Sequence, residues 1–255
     1  MERDSNEVAR LARMLRERQP AVVLTGAGIS TESGIPDFRS PSGIWAEFDP
    51  AEYASIEAFR GDPEKVWGFY AARIEMLVAA KPNAAHFALA ELERLGLLRA
   101  VVTQNVDLLH ERAGSQEVVE VHGSIRTSTC LQCETSYELP RVVQMVEHQP
   151  GEAPRCSSCA AVLKPDVVFF GELLPEREID RAFALARSAA LLLVVGSTLE
   201  VYPVADMPRE TVQAGGDVAI VNRGPTAFDR RAALRIEGAA GDVLPAVVEA
   251  LELGS

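Results

Sequence analysis

The sequence is short of positive charge: 25 Lys and Arg stand against 37 Asp and Glu, a formal net charge of -12. Phosphate backbones are held by clustered Lys and Arg, so non-specific binding of nucleic acid is not expected, and no local basic run offers itself to a polyanion. Lysine itself is nearly missing, since all the basic residues except Lys65, Lys81 and Lys164 are arginine. Also lacking is any apolar segment of about 18 residues, the least that spans a bilayer as a helix. No amino-terminal stretch combines a basic start, an apolar run and a small-residue cleavage site, so the expected location is cytoplasmic, with no membrane partner. Internal repeats and low-complexity segments are absent. Cysteine is scarce too: there are four, all between positions 130 and 159. What remains is a chain that is 47% hydrophobic, enough for one sizeable core or a core with a small satellite domain.

Asn6 to Arg18 places Val8, Leu11, Ala12 and Leu15 near helical spacing, and Pro20 ends the pattern. The apolar run Ala21 to Leu24 then leads directly into Gly26 and Gly28, the pattern of a buried parallel strand turning into a phosphate-facing loop. The runs RAVVTQNVD, ALLLVVGS and DVAIVN repeat this form, and helical patterns at Ala84 to Leu95, Glu176 to Ser188 and Val243 to Leu251 lie between and after them. Strands alternating with helices predict a doubly wound, Rossmann-like α/β fold with a parallel sheet. Two stretches break the alternation, one rich in aromatics and short helical patterns, the other holding the cysteines. Residues 1–39, 81–123 and 165–255 are therefore expected to form the Rossmann-like domain, with 40–80 and 124–164 making a smaller helical and zinc-ribbon domain beside it. In the first insertion Phe69, Ile74, Leu77 and Val78 read as a buried helical stripe, while Tyr70 and Arg73 stand three apart, close enough to converge on one anion.

Cys130 and Cys133, then Cys156 and Cys159, form two C-x-x-C knuckles with 22 residues between them. Four thiolates so spaced match a closed, structural tetrahedral zinc site. A disulfide pair or redox thiols are the alternatives, and a cytoplasmic setting disfavours them. The loop Gly26-Ala27-Gly28-Ile29-Ser30 is less specific. Its third fingerprint glycine would fall at Thr31, although glycines there still let backbone N–H groups approach a pyrophosphate.

The loop does not stand alone. Gly34 to Arg39 (GIPDFR), Thr103 to Asp107 (TQNVD), Val121-His122-Gly123, Val168 to Glu172 (VFFGE), Gly196-Ser197-Thr198 and Val221-Asn222 follow in order, with the paired knuckles after His122. This ordered set resembles the sirtuin family, from about Ala21 to about Val248. The resemblance implies an enzyme that consumes NAD to remove acyl groups from protein lysines, releasing nicotinamide and O-acyl-ADP-ribose. It implies that His122 is the general base activating a ribose hydroxyl, a task suited to a pKa near neutrality. Gln104, Asn105 and Asp107 would line the nicotinamide-ribose pocket, Asn105 with a part in catalysis and Asp107 holding the carboxamide. Asp37, Phe38 and Arg39 would form the mobile cofactor loop. Gly26, Ala27, Gly28, Gly196, Ser197, Asn222 and Asp242 would contact phosphates, ribose or adenine, and Val168, Phe169, Phe170 and Gly171 would pair with the substrate peptide backbone. The remaining histidines, His86, His110 and His148, read as core or capping residues.

One branch of the family carries a Tyr and an Arg three apart at the mouth of the acyl pocket, with a small Ala nearby, and removes succinyl and malonyl groups. Tyr70 and Arg73 match the pair and Ala54 the alanine; the alternative is a core ring and a solvated helix charge. Three rival functions stand beside deacylation. A mono-ADP-ribosyltransferase on the same scaffold would capture the ribose carbon with a protein side chain, and His122 with the Tyr70 and Arg73 pocket favours deacylation instead. A zinc-ribbon interaction module would lack the ribose-contact residues, which are present. A hydride-transferring dehydrogenase would need a substrate carbonyl site, for which nothing speaks.

Overall fold

The computed structural model describes residues 2–253. Helix α1 (Glu2–Glu17) begins earlier than the apolar spacing alone indicates and buries Leu11, Ala12 and Leu15. Strand β1 (Ala21–Thr25) is buried throughout and enters a 3-10 turn at Ala27–Ser33. The first insertion folds as α2 (Pro50–Tyr53), α3 (Ile56–Gly61) and α4 (Pro63–Ala79), and α5 (Ala84–Arg94) and β2 (Ala100–Thr103) return the chain to the sheet. There follow α6 (Leu109–Ala113), β3 (Val118–Glu120), β4 (Gly123–Cys130), β5 (Ser136–Glu138), α7 (Leu139–His148) and β6 (Leu163–Val167). The chain finishes with α8 (Glu176–Ser188), β7 (Leu191–Val195), α9 (Met207–Gln213), β8 (Asp217–Asn222), β9 (Leu234–Glu237) and α10 (Ala240–Leu253). Among the described residues no helix is long and apolar enough to cross a membrane.

Six strands form one parallel sheet in the order β3-β2-β1-β7-β8-β9. Side chains alternate across each strand, so Val23, Val101, Leu193 and Val221 face α1, α5 and α10, while Val22, Val102, Leu192 and Ile220 face α8 and α9. Both faces are covered, which is why these strands read as unbroken apolar runs. The chain winds outward from β1 in one direction and from β7 in the other. The crevice beyond the carboxyl ends of β1 and β7 is therefore the switch point where such folds bind ligands.

A second, antiparallel sheet has the order β5-β4-β6, and β6 carries it on to Val167. Its core joins α3 and α4 through Phe59, Val66, Trp67, Ile74 and Leu77, together with Val142 of α7 and Leu163 of β6. Asp62 caps α4 by accepting the Lys65 N–H, and Pro63 occupies the first turn, where its missing N–H costs nothing. The expected stripe needs one correction. Val78 is exposed, because one residue beyond Leu77 the helix has turned about 100° away from the core, and Val66 and Trp67 complete the buried face instead.

Candidate functional site

The crevice is built by backbone first. The Gly26 N–H donates to Val195 O at 3.1 Å and the Gly28 N–H to Gly196 O at 2.9 Å, so the loops after β1 and β7 lie against each other. A Cβ on Gly28 would come within 2.8 Å of the Gly196 Cα, and one on Gly196, whose φ is +61°, within 2.3 Å of the Ile29 nitrogen. Only glycine fits at either position.

Side chains from the end of β2 fill the crevice floor. Gln104 Nε2 donates to Ser197 Oγ at 3.0 Å. Asn105 Nδ2 donates to Gly26 O at 3.2 Å and to Ser30 Oγ at 3.1 Å, which commits its amide N–H groups and leaves its carbonyl oxygen without a partner among the described residues. Ser30 Oγ in turn donates to Asp107 Oδ2 at 2.7 Å, and the Leu109 N–H donates to Asp107 Oδ1 at 3.0 Å. Burial raises the Asp107 carboxyl pKa above its ordinary range, and these two hydrogen bonds work against that rise. Ser30 thus links two expected cofactor residues, Asn105 and Asp107, that stand two apart in sequence. Its own role was illegible there, since a serine in a Gly-rich turn is common.

His122 immediately precedes β4, at the seam between the sheets. Its Nδ1 lies 3.1 Å from Gln104 O; a carbonyl only accepts, so Nδ1 carries the proton and the neutral ring offers Nε2 as its basic end. Burial holds the His122 pKa below its usual value, the Gln104 carbonyl opposes this, and nearby Arg39 lowers it further. The Val168 N–H donates to His122 O at 2.8 Å, which joins the histidine to the segment Val168 to Gly171. Asp37 folds its own loop by accepting from the Arg39 and Ser40 N–H groups at 3.1 and 2.8 Å. Phe38 stacks on Trp45 at 5.3 Å. Phe38, Arg39, Trp45, Pro50, Phe170 and Glu200 line a cleft of about 660 Å³, within the size range of small-ligand sites.

Tyr70 and Arg73 of α4 lie next to this cleft. The Arg73 guanidinium sits 5.3 Å from the Phe38 ring and 5.4 Å from the Phe69 ring, and among the described residues it has no carboxylate partner. Tyr70 packs on Phe169 at 5.1 Å between ring centres. Burial raises the Tyr70 pKa, with Arg73 opposing, and lowers that of Arg73. Ala54 is buried at the end of α2, and its carbonyl accepts the Phe170 N–H at 2.8 Å. At the far end Asn222 is buried at the tip of β8, its amide donating to the Arg223 and Gly224 carbonyls. Asp242 stands apart: it is exposed in the first turn of α10 and its side chain makes no hydrogen bond among the described residues.

The four cysteine sulfurs lie within 4.8 Å of one another, with nearest pairs at 3.4 and 3.5 Å. A disulfide needs about 2.05 Å. Tetrahedral zinc at about 2.3 Å from each thiolate sets sulfurs about 3.8 Å apart, so the cluster fits the metal and not a bridge. No cysteine is among the residues that line the cleft; the cluster closes the turns that flank β4, β5 and β6.

Of the other histidines, His148 lies exposed at the end of α7, where its Nδ1 donates to Gln144 O. His86 Nδ1 accepts the Asn83 N–H in the cap of α5. His110 bonds Thr25 Oγ1 at 2.9 Å, while its Nδ1 is buried without a partner. Burial lowers the pKa of His86 to about 4 and that of His110 to about 3. In the unfolded chain both take protons near pH 6.5, so below that the unfolded state binds more protons. Their contribution to stability is present above about pH 6.5 and is lost as pH falls through the folded values. Each ring adds a slope of about 1.4 kcal/mol per pH unit inside its window. His110→Gln is expected to flatten the pH dependence of the urea unfolding free energy between pH 6 and 4; slopes equal to wild type would show that His110 takes up no proton on unfolding in that range.

Residues 26–203 match the Sir2 family. The NAD-dependent protein deacylase of Pyrococcus furiosus is 46% identical over 242 residues, covering 94% of this chain and 96% of its own length. The NAD-dependent protein deacetylase of Sulfolobus acidocaldarius is 45% identical over 247 residues, covering 96% of each chain. A solved structure described as "Structural Basis for the Mechanism and Regulation of Sir2 Enzymes" superposes with a TM-score of 0.91 at 45% identity, covering 98% of this chain and 99% of that one. Another, "Sir2-p53 peptide-NAD+", gives 0.87 at 40% identity, covering 96% and 98%. By a family match across most of its length and by these relatives, the chain belongs to the Sir2 family, the sirtuins.

Proposed function

We propose that the protein is an NAD-dependent protein-lysine deacylase that accepts acyl groups ending in a carboxylate, such as succinyl and malonyl. The observation that carries the deacylase reading is the fixed tautomer of His122, whose Nδ1 is tied to Gln104 O so that a buried, neutral Nε2 is the proton acceptor. Relatives at 46% and 45% identity are an NAD-dependent protein deacylase and an NAD-dependent protein deacetylase, and a neighbouring structure is a Sir2 with a p53 peptide and NAD+. The residues suit that cofactor. Gly26, Ala27, Gly28 and Gly196 let backbone approach a pyrophosphate, with Ser197 beside them; Gln104, Asn105 and Asp107 would hold the nicotinamide end, and Asn222 and Asp242 the adenosine end. When bound, NAD supplies the electrophilic ribose carbon and the nicotinamide leaving group. His122 would take a ribose hydroxyl proton at Nε2, and Phe38 with Arg39 would cover the reacting centre from water.

The acidic-acyl reading rests on Arg73. A guanidinium held over two aromatic rings, with no carboxylate partner among the described residues, is prepared to accept one from outside, and the Tyr70 hydroxyl, three residues away on α4, likewise has no hydrogen-bond partner among them. Hydrogen bonds to charged groups contribute about 1.5–3 kcal/mol each. Arg73→Met is therefore expected to lower kcat/KM on a succinyl-lysine peptide roughly tenfold to two-hundredfold and to change the matched acetyl peptide far less. Equal losses on both peptides would return Arg73 to a structural role. The function itself is tested by mass spectrometry of the products formed from NAD and an acyl-lysine peptide. O-acyl-ADP-ribose with a free lysine supports deacylation; an ADP-ribosylated protein would favour the transferase alternative.

A further inference from the structure

Lys164, one of only three lysines in the chain, is almost wholly buried and unused by the chemistry above. It lies on β6 opposite Thr129 of β4, and its ammonium turns back along its own chain. Nζ donates to Pro165 O at 3.0 Å and Val167 O at 2.9 Å, and pairs with Glu172 Oε2 at 2.9 Å. These three acceptors match the three N–H groups of an ammonium. The Phe169 ring covers the remaining side, its centre 4.2 Å from Nζ. The same Glu172 oxygen accepts the Phe169 N–H at 2.8 Å, and the Glu172 N–H donates to Phe169 O at 3.0 Å. Residues 164 to 172 are thus wrapped around one buried charge.

That wrapping fixes the expected peptide-pairing segment from both ends. Val168 and Phe170, whose N–H groups reach His122 O and Ala54 O, lie inside the wrapped stretch, and the Phe169 ring that covers the ammonium also packs on Tyr70. We infer that the Lys164–Glu172 ion pair is a positioning device for the substrate peptide, holding residues 168–171 in the conformation that receives it. The inference rests on the deacylase reading. Neither residue is catalytic; both act through the backbone they fold. Removing the ammonium leaves two carbonyls and a half-buried carboxylate without their partner, and the segment must rearrange to reach water.

The test compares wild type with Lys164→Met, Lys164→Arg and Glu172→Gln. For each, KM for an acyl-lysine peptide and KM for NAD are measured, with hydrogen–deuterium exchange of segment 168–172 in the free protein. Lys164→Met is expected to raise peptide KM about tenfold, the effect of one charge-assisted contact, with NAD KM unchanged and exchange in 168–172 faster. Lys164→Arg keeps the charge and recovers most of the loss, though a planar guanidinium cannot cap both carbonyls as the ammonium does. If Lys164→Met does not fold, Glu172→Gln, which keeps shape and loses only charge, must show the same split. Peptide and NAD KM rising together, or peptide KM and local exchange both unchanged in a folded variant, would overturn the proposal. A wild type inactive on every acyl peptide with NAD would instead sink the deacylase reading, and unchanged exchange in the variants would then still overturn the positioning role.

Discussion

His122→Ala is expected to lower kcat for deacylation by about 10²–10⁴-fold while NAD still binds, the range lost with one positioned base. Geometry sets the expectation. Nδ1 is occupied by Gln104 O, so only Nε2 is available as an acceptor, and no other histidine stands at the seam between the sheets: His86 is buried in the cap of α5, His110 is buried against Thr25, and His148 is at the end of α7. Affinity for NAD should persist because the Gly26, Gly28 and Gly196 contacts between the β1 and β7 loops do not involve the imidazole. The same residue sets a pH signature. The neutral ring is the working form, so the rate falls as pH drops through the folded pKa, and burial with Arg39 places that pKa below the usual 6.5. The acidic limb of kcat/KM should therefore lie below pH 6.5 and vanish in His122→Ala. Near wild-type turnover in the variant, or an acidic limb centred above 6.5, would remove His122 from the base role.

Loss of the metal should have the next largest effect. Cys130 ends β4, Cys133 lies in the turn to β5, and Cys156 with Cys159 form the turn before β6, so one tetrahedral ion would tie together all three strands of the small sheet. Tyr137 of β5 donates to Cys156 Sγ at 3.3 Å, a hydrogen bond that favours thiolate. Structural zinc in small finger peptides contributes about 10–16 kcal/mol of apparent binding energy, most of it folding energy. Cys130→Ala or Cys156→Ala is expected to abolish stoichiometric zinc and melt the small sheet well below the wild-type transition. Activity should fall as well, although no cysteine touches the cleft. Gly123 of β4 pairs with Val167 of β6, and Val168 bonds the His122 carbonyl, so a loosened sheet releases both the base and the peptide segment. Metal analysis and thermal melts in chelator check this; a purified wild type without zinc, melting unchanged in strong chelator, would refute the structural role.

The sequence by itself determined the interior strands β1, β2, β7 and β8, because a parallel strand covered on both faces must be apolar at every position, and such runs stand out. It determined α8 to the residue, and the cysteine set from spacing alone. The order of the short motifs identifies the family without reference to any tertiary contact. The edge strands β3 and β9 were invisible: each is three or four residues long, half-exposed, and shows no run. Only the tertiary structure decided the contacts that join distant loops. That Gly28 must face Gly196, that Ser30 binds both Asn105 and Asp107, that Arg73 lies over Phe38, and that Lys164 is wrapped by the segment ending at Glu172 all depend on which loops meet at the sheet ends. Periodicity reports which face of an element is buried. It carries no record of the partner that buries it, since the hydrophobic effect acts without direction, whereas a hydrogen bond or ion pair exists only once the fold has brought its two ends within about 3 Å.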